Sequence, residues 1–263
     1  YTYILIYLYT YILIYLYTYI LIYLYTYIII YLYTYILIYL YTQYILQGSV
    51  FMKVIAVLNQ KGGSGKTTIA THLARGLQLK GHSVLLVDSD QQGSARDWRA
   101  VDEDNPVPVI GLVRPTLDKD LKNVSDKDYV VIDGSPQATS LAISAIKAAD
   151  FILIPVQPSP YDIWATSDLV DLVQQRIEMM DGQLKAAFVV SRAIQNTNIG
   201  KEVATALLDY NIPVLETRVM QRVAYPNSAA LGKTVFDTES PSSNAIQEIT
   251  ALVSEIQIFF GEE

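Results

Sequence analysis

Apolar runs of six to eight residues alternate with longer amphipathic segments from residue 53 onward. The runs are short and rich in Val, Ile and Leu, and they lie at 53–59, 83–88, 128–134, 150–156, 184–191 and 212–219. Such runs are typical of strands buried on both faces of a parallel sheet. Helical patterns lie between and after them, at 67–81, 139–148, 161–180, 199–209 and 242–260. This alternation predicts an α/β fold with a mostly parallel, twisted sheet and helices on both faces.

Turn-forming residues mark the ends of two of these helices. Gly81 is predicted to close the first helix, because glycine readily adopts the left-handed conformation found after a helix. The segment 238–245, TESPSSNA, is predicted to be a loop that caps the last helix. Residues 52–263 contain no linker long enough to suggest a second domain, so we expect one domain there.

Residues 1–51 follow a different pattern, because they begin with five copies of the octapeptide YTYILIYL. One copy differs, with Ile29 in place of leucine. Residues 1–52 contain no charged residue and no histidine, and they hold 17 of the 21 tyrosines. A stretch of about 20 apolar residues is long enough to span a bilayer. Tyr, Thr and Ile also favour strands and cross-β aggregation, so a membrane segment and a fibre-forming arm are both open alternatives.

A DNA repeat explains the octapeptide period without selection on the protein. The octamer TATACTTA, written three times, gives eight codons that translate to Tyr-Thr-Tyr-Ile-Leu-Ile-Tyr-Leu, and a single base change gives Ile29. We therefore expect that residues 1–51 are translated upstream DNA and lie outside the fold, with the true start at Met52. N-terminal sequencing of the native protein tests this expectation, since a mature chain that begins at Tyr1 contradicts it.

The net charge of −7 belongs entirely to residues 53–263. An acidic balance argues against a protein coated in nucleic acid, although it is compatible with a local basic patch. The chain has no cysteine, which excludes disulfides, iron–sulfur clusters and thiolate zinc sites.

The segment KGGSGKTT (61–68) lies between the first predicted strand and the first predicted helix. It fits the phosphate-binding pattern G-x-x-x-x-G-K-[ST] except that Gln60 occupies the first glycine position. The backbone of such a loop cradles phosphate oxygens, which predicts contacts from Gly62, Gly63, Ser64 and Gly65. Lys66 is predicted to reach the β- and γ-phosphates, the Thr67 hydroxyl to coordinate Mg²⁺, and Thr68 to bind the α-phosphate.

Three aspartates follow predicted strands, at the edge of the sheet where α/β proteins bind ligands. Asp88 and Asp90 follow the second strand, and Asp133 ends the segment VVID. Asp133 is predicted to hold Mg²⁺ through water, as the corresponding carboxylate does in phosphate-loop enzymes.

The loop KGGSGKT, with its early Lys61, resembles the deviant Walker A motif of the ParA/MinD ATPases. The resemblance covers essentially all of residues 52–263 and implies a P-loop NTPase fold, ATP and Mg²⁺ as cofactors, and a homodimer that forms on ATP binding. It implies that Lys61 contacts the partner's nucleotide across the dimer, that Asp88 helps organise the Mg²⁺ shell and that Asp90 positions the attacking water. The family pattern is D-x-D-P-Q, and Gln91 replaces its proline here.

Two further residues acquire a role from the same resemblance. Pro158, in the segment PVQPSPYD, is expected near the nucleotide and the dimer interface. Arg192, which ends the segment AFVVSR, is expected near the adenine.

Within this family the chain is similar to the short, ParF-like ParA proteins of plasmid partition. This similarity implies a cytoplasmic, nucleoid-associated DNA segregation ATPase whose ATP dimer binds non-specific DNA. It also implies a small centromere-binding adaptor protein that stimulates hydrolysis, and the DNA octamers are then candidate operator or centromere sites. Arg218, Arg222 and Lys233 are the candidate DNA-binding residues, because backbone-directed binding needs a cluster of cations.

The alternative is a MinD-like or cargo-positioning ATPase that acts on a membrane or a protein complex. Membrane binding by a C-terminal helix requires basic residues beside the apolar ones. This chain has no Lys or Arg after Lys233, so we expect no membrane partner.

Overall fold

The computed structural model describes residues 1–46, 52–124, 126–136, 140–194, 203 and 205–262. The chain divides into two units, Tyr1–Phe51 and Met52–Glu263.

The second unit is built on one seven-stranded sheet in which every strand pair is parallel. The strands are β1 (Lys53–Val57), β2 (Val84–Asp88), β3 (Val109–Gly111), β4 (Tyr129–Asp133), β5 (Phe151–Val156), β6 (Lys185–Ala193) and β7 (Val214–Met220), in the order β3-β2-β4-β1-β5-β6-β7. The predicted parallel α/β sheet is therefore confirmed. The sequence pattern missed β3, because its three residues at the edge of the sheet form a run too short to predict a strand.

The first strand, β1, lies at the centre of the sheet between β4 and β5. The chain continues from β1 towards one edge, returns through β4, and then crosses to β5 on the other side. Ligands of α/β proteins bind at the carboxyl ends of the strands where the order reverses in this way. The loop that follows β1 lies at this point.

The helices of this unit cover both faces of the sheet. The described helices are α2 (Lys66–Leu79), α3 (Ser94–Val101), α4 (Leu117–Asp120), α5 (Ser140–Ala148), α6 (Pro160–Trp164), α7 (Ser167–Met179), α8 (Ala224–Ala230), α9 (Val235–Thr238) and α10 (Asn244–Phe259). The helix predicted at 161–180 is interrupted between Trp164 and Ser167, where α6 ends and α7 begins. The helix predicted at 199–209 lies partly outside the described residues, and α3, α4, α8 and α9 were not predicted.

The predicted ends of two helices are confirmed by hydrogen bonds. Gly81 has φ +95° and its N–H donates to the Gln78 carbonyl just after α2 ends. The Ser243 hydroxyl caps α10 by accepting from the Ile246 N–H at 3.3 Å.

Each face of the sheet buries its own hydrophobic cluster. In β1, Ile55 and Val57 contact the cluster that includes α2 and α10, whereas Val54 and Ala56 contact the cluster that includes α5 and α7. Because both faces are covered, the strands are apolar at nearly every position, as the sequence indicated.

The described residues of the first unit form one helix, α1 (Thr2–Leu46), rather than the strands that their Tyr, Thr and Ile content favours. A helix satisfies its backbone groups within itself, and threonine hydroxyls add bonds to preceding carbonyls, such as Thr10 Oγ1 to the Ile6 carbonyl at 2.7 Å. Eight residues turn a helix by about 800°, so each repeat is rotated by about 80° and no polar face forms. By length and composition α1 could cross a membrane, the one helix among the described residues that could.

His72 is a fully buried titratable group that connects α2 to the C-terminal segment. Its Nδ1 lies 2.7 Å from the Thr68 carbonyl, its Nε2 accepts from the Val235 N–H at 3.1 Å, and its ring meets the Tyr225 ring edge-on at 5.2 Å. Both ring nitrogens therefore have partners while the ring is neutral. Burial lowers the pKa of His72 from 6.5 to about 4, although the Thr68 carbonyl and Asp237 favour the charged form.

We predict that His72 makes the fold acid-sensitive between pH 6.5 and 4. The unfolded chain binds a proton at this site below pH 6.5, but the folded protein does not until about pH 4. The contribution of His72 to the free energy of unfolding is therefore largest above pH 6.5. It decreases as the pH falls, by about 3 kcal/mol at about pH 4. His72→Gln should flatten this part of the curve in urea unfolding at a series of pH values. An unchanged difference between pH 7 and pH 4.5 would contradict the assignment.

Candidate functional site

The loop 61–68 leaves the carboxyl end of β1 and leads directly into α2. Gly63 has φ +77° and Gly65 has φ +90°, a backbone conformation that only glycine adopts without strain. No N–H group from Gly62 to Gly65 donates a hydrogen bond within the described part of the chain. Four free N–H groups beside a helix N-terminus form a site for an anion such as phosphate.

Side chains from the end of β5 and from β6 hold the loop from outside. The Gln157 amide and the Arg192 guanidinium both donate to the Gly63 carbonyl, at 2.8 and 3.0 Å. The Ser191 hydroxyl donates to the Ser64 carbonyl at 2.8 Å. These contacts fix the carbonyl groups and leave the N–H groups available. Arg192 was expected near the ligand, and so was Pro158, the neighbour of Gln157. The roles of Gln157 and Ser191 themselves were not predicted, because they depend on contacts between distant strands.

Lys66, the first residue of α2, is largely buried within the loop. Its ammonium donates to the Lys61 carbonyl at 3.0 Å. Burial lowers the pKa of Lys66, and the carboxylates of Asp133 and Asp90 oppose that shift. The ammonium is thus a desolvated cation beside the anion site, where its interaction with a phosphate is strengthened.

Asp133, at the end of β4, is a buried acid whose oxygens are free. Neither carboxylate oxygen has a hydrogen-bond partner among the described residues, and the side chain is almost fully buried. Burial raises the pKa of Asp133 to about 7. The Thr67 hydroxyl and Lys66 favour the charged form, and Asp88 and Asp90 oppose it. Thr67 lies near the acid, but outside hydrogen-bonding geometry. Unpaired carboxylate oxygens beside a hydroxyl fit the hard oxygen donors that Mg²⁺ takes, directly or through water.

Asp88 is paired in register with Asp133 on the neighbouring strand, but its oxygens are already engaged. One oxygen accepts from the Asp90 N–H at 3.0 Å, and the other accepts from the Arg96 N–H at 3.0 Å and Nε at 3.3 Å. The predicted role of Asp88 in a Mg²⁺ shell is therefore indirect in this arrangement, since Asp88 holds the following turn. Asp90 lies on that turn and lines the cleft.

Lys61 extends away from the loop towards α6. Its ammonium pairs with Asp162 Oδ2 at 2.6 Å, and its own N–H donates to Asn59 Oδ1 at 2.8 Å. The Asp162 side chain is 4% exposed, whereas that of Lys61 is 39% exposed. The lysine therefore remains accessible at the surface while it neutralises a buried acid.

A cleft of about 880 Å³ opens beside the loop. Its lining includes residues of the loop, Asp90 and Arg192, together with residues of the segment from Val219 to Pro226. Pro158, predicted near the ligand, does not line this cleft, although its neighbour Gln157 contacts the loop.

Glu248 of α10 holds three of the residues that line the cleft. It accepts hydrogen bonds from the Met220 N–H at 3.2 Å and the Tyr225 hydroxyl at 3.1 Å, and it also binds the Arg222 guanidinium. The role of Glu248 was not predicted from the sequence, because it depends on the packing of α10 against β7.

The structure does not bring the three candidate DNA-binding residues into one patch. Arg222 forms an ion pair with Glu248 and lines the cleft, while Arg218 is half-buried on β7. Lys233 is exposed and lies at a second, smaller cavity together with Arg75 and Asp237. Arg218 and Lys233 remain predictions, and Arg222 has a structural partner.

Comparison with known proteins agrees with this geometry. Residues 55–235 match the family described as "CobQ/CobB/MinD/ParA nucleotide binding domain". The chain is 34% identical over 208 residues to Maintenance of carboxysome distribution protein A of Halothiobacillus neapolitanus, covering 77% of this chain and 95% of that protein. It is 29% identical to Chromosome partitioning protein ParA of Myxococcus xanthus, covering 70% of this chain and 81% of that protein.

A solved structure shares the fold. The ATP complex of a Cyanothece McdA variant aligns with a TM-score of 0.62 and 17% identity, covering 78% of this chain and 96% of that one. At this identity the likeness shows the P-loop NTPase fold alone, and the family match carries the assignment. The chain belongs to the ParA/MinD family of nucleotide-binding proteins that carry the deviant Walker A loop.

Proposed function

We propose that this protein is a Mg²⁺-dependent ATPase whose ATP-bound homodimer binds non-specific DNA and releases it on hydrolysis. The observation that carries the proposal is the pair of cations on one loop. Lys66 is buried beside the anion site, and Lys61 is partly exposed and paired with Asp162. A dimer that encloses two nucleotides requires one cation that binds the phosphates of its own chain's nucleotide. It also requires a second cation that can reach the partner's nucleotide.

Each part of ATP binding and hydrolysis is assigned to particular residues at the site. The loop N–H groups from Gly62 to Gly65 and the ammonium of Lys66 hold the phosphates, with Thr68 at the α-phosphate. Thr67 and Asp133 would hold Mg²⁺, which supplies charge neutralisation at the phosphates. Asp90 orients the attacking water, and Arg192, which holds the Gly63 carbonyl and lines the cleft, is the proposed contact to the adenine. Pro158 stays a predicted contact in the dimer.

We predict that Lys61→Ala separates nucleotide binding from dimer formation. Lys61 pairs with Asp162 of its own chain, and this pair has to separate before the ammonium reaches a partner's nucleotide. The variant should bind ATP within about threefold of the wild type, because the remaining loop donors are intact. Light scattering after size exclusion with ATP should show a monomer where the wild type is a dimer. Lys119→Ala, an exposed lysine on α4, is the control. A normal ATP dimer of the Lys61 variant contradicts the assignment.

We predict salt-sensitive DNA binding only in the ATP state. The unit 52–263 should be tested on random-sequence duplex DNA with ATP, with ADP and without nucleotide, at about 50 and about 200 mM salt. Each contact between a protein cation and a DNA phosphate releases counterions. A variant that loses one such ion pair should therefore reduce the slope of log binding constant against log salt concentration by about one. Lys233→Glu should reduce affinity, whereas Lys119→Glu should not. Binding in no nucleotide state, despite an ATP dimer, would exclude the DNA switch.

The second candidate is an ATPase that positions a protein cargo. It is favoured by the 34% identity to a protein named for maintenance of carboxysome distribution. The partition candidate, with its small centromere-binding adaptor, is favoured by the similarity to Chromosome partitioning protein ParA. The two differ in the partner that stimulates hydrolysis. Adaptors encoded beside the gene should be purified and added to the ATPase assay, because a DNA-binding adaptor supports partition and a cargo-bound adaptor supports positioning.

A MinD-like membrane switch is the weaker alternative. The apolar side of α10 is buried against the sheet through Ile249, Leu252, Val253 and Ile256, so it does not face lipid. Amphipathic membrane anchors instead expose their apolar face and add basic residues. We expect a cytoplasmic, nucleoid-associated protein. Sedimentation of the unit 52–263 with anionic vesicles and ATP would contradict this expectation.

A further inference from the structure

Arg96, the third residue of α3, reaches back to the turn that carries Asp90. Its Nε lies 3.3 Å from Asp88 Oδ2, and its Nη2 donates to the Asp90 carbonyl at 3.1 Å. Its backbone N–H also donates to Asp88 Oδ2, at 3.0 Å. One guanidinium therefore contacts both ends of the segment from Asp88 to Asp90.

Two glycines leave the space that the Arg96 side chain occupies. A Cβ added at Gly93 would lie 2.8 Å from Arg96 Nη2, and one added at Gly111 would lie 2.8 Å from its Cδ. Contacts this short are essentially never seen for a real Cβ, so a side chain at either position would displace the arginine. Gly93 belongs to the turn itself and Gly111 to the adjacent strand β3. The arginine is thus held in a slot and not spread freely over the surface.

The charges favour a fixed position for Arg96. Asp88 is fully buried, and a buried carboxylate is costly unless it is paired and hydrogen-bonded. Its three donors are the Asp90 N–H, the Arg96 N–H and the Arg96 guanidinium. The Arg96 side chain is 42% exposed, but its acid partner is not exposed at all, which separates this pair from ordinary surface ion pairs. Arginine suits the place because its planar fork can serve two acceptors at once.

We propose that Arg96 is a positioning residue that fixes the Asp90 carboxylate over the reaction site. The inference rests on the proposed ATPase function. The turn from Asp88 to Gly93 is also held at Ser89, whose N–H and hydroxyl both donate to the Asp133 carbonyl, at 3.0 and 2.9 Å. Beyond Ser89 the turn has the bonds from Gly93 N–H to the Asp90 carbonyl and from Gln92 N–H to Asp90 Oδ1. Arg96 anchors this turn to the buried end of β2, and the anchored turn sets where Asp90 lies in the cleft.

The test measures kcat, KM for ATP and melting temperature of the full-length protein carrying Arg96→Gln or Arg96→Lys. Arg96→Gln should lower kcat by about tenfold to 100-fold, since displacement of a catalytic group by about 1 Å can cost about 100-fold. ATP affinity should stay within about twofold, because the phosphate loop and its donors are untouched. Arg96→Lys should recover only part of kcat, because a single ammonium cannot bond to Asp88 and Asp90 together as the planar guanidinium does.

A double variant separates positioning from a general structural role. If Arg96 acts through Asp90, adding Arg96→Gln to Asp90→Ala should cause no further loss of kcat. The control is Arg99→Gln, one turn along the same helix, whose guanidinium binds the Asp102 and Glu103 carbonyls. This control should keep the wild-type kcat.

Gly111→Ala provides an independent variant that keeps every charge. It should push Arg96 from its slot and lower kcat as Arg96→Gln does, so it decides the matter if Arg96→Gln does not fold. An unchanged kcat in a folded Arg96→Gln protein, or an additive loss in the double variant, contradicts the positioning role of Arg96. Neither result contradicts the proposed ATPase function. If the wild type hydrolyses no more ATP than Lys66→Ala, the proposed ATPase function fails, and this inference fails with it.

Discussion

Lys66→Ala should reduce ATP hydrolysis at least about 100-fold, the loss typical when a preorganised charge on the transition state is removed. The Lys66 ammonium is buried beside four N–H groups that have no partner among the described residues, and it donates to the loop's own Lys61 carbonyl. Nothing else in the described part of the loop supplies a buried cation. The measurement is steady-state phosphate release with saturating ATP and Mg²⁺.

The control for this prediction is Lys119→Ala, which removes an equal charge from an exposed position on α4. Its turnover should equal that of the wild type. Calorimetry with ATP should also show weaker binding by the Lys66 variant, since the β- and γ-phosphates lose their cation. A Lys66 variant with full activity would refute the assignment of loop 61–68 as the catalytic phosphate site.

Asp133→Asn should stabilise the Mg²⁺-free protein at pH 8 while it reduces hydrolysis at least about 100-fold. Burial raises the pKa of Asp133 from 3.8 to about 7. The folded protein therefore binds this proton more tightly than the unfolded chain does. The resulting stabilisation is fully present below about pH 4 and is lost as the pH rises to about 7. Above pH 7 the charged form costs about 4 kcal/mol. Asparagine avoids this charge but leaves buried polar atoms unpaired, at a cost of about 1–3 kcal/mol.

The melting temperature should therefore rise by a few degrees at pH 8, and the gain should shrink at pH 5, where the wild-type acid is protonated. Scanning calorimetry with a metal chelator measures both values. Asp97→Asn, an exposed acid on α3, is the control and should change neither stability nor turnover. A lower melting temperature at pH 8 would mean that the Asp133 charge has favourable partners, and the free oxygens would then not indicate a metal site.

The sheet was largely predictable because its signal is local. Six of the seven strands are short apolar runs between helical patterns, and burial on both faces requires such runs. The exception, β3, has only three residues at the edge. Helices α8 and α9 were missed for a similar reason, since each is short and carries little periodicity. The break between α6 and α7 was also missed, because the helical pattern continues through it.

The phosphate loop was predictable because backbone freedom and chemistry are both encoded in consecutive residues. Its glycines, Lys66 and Thr67 define the anion site in any protein that places them between a strand and a helix. Asp133 was predictable for the same reason, as an acid at the end of an apolar strand. The relation of Asp88 to Arg96 was not, because the sequence does not show which donors surround a buried carboxylate.

The sequence by itself determined the fold class and the chemistry of the loop, since both follow from neighbouring residues and their periodicity. The tertiary structure alone decided which distant groups complete the site. Lys61 pairs with Asp162, 101 positions away, and the Gly63 carbonyl meets Gln157 and Arg192. Glu248 of the last helix fixes the cleft wall in the same manner. These contacts arise because the strand order places β1 beside β5, with β6 and then β7 following on the same side of the sheet. Hydrogen bonds between residues so far apart in the chain depend on that order and not on any local pattern.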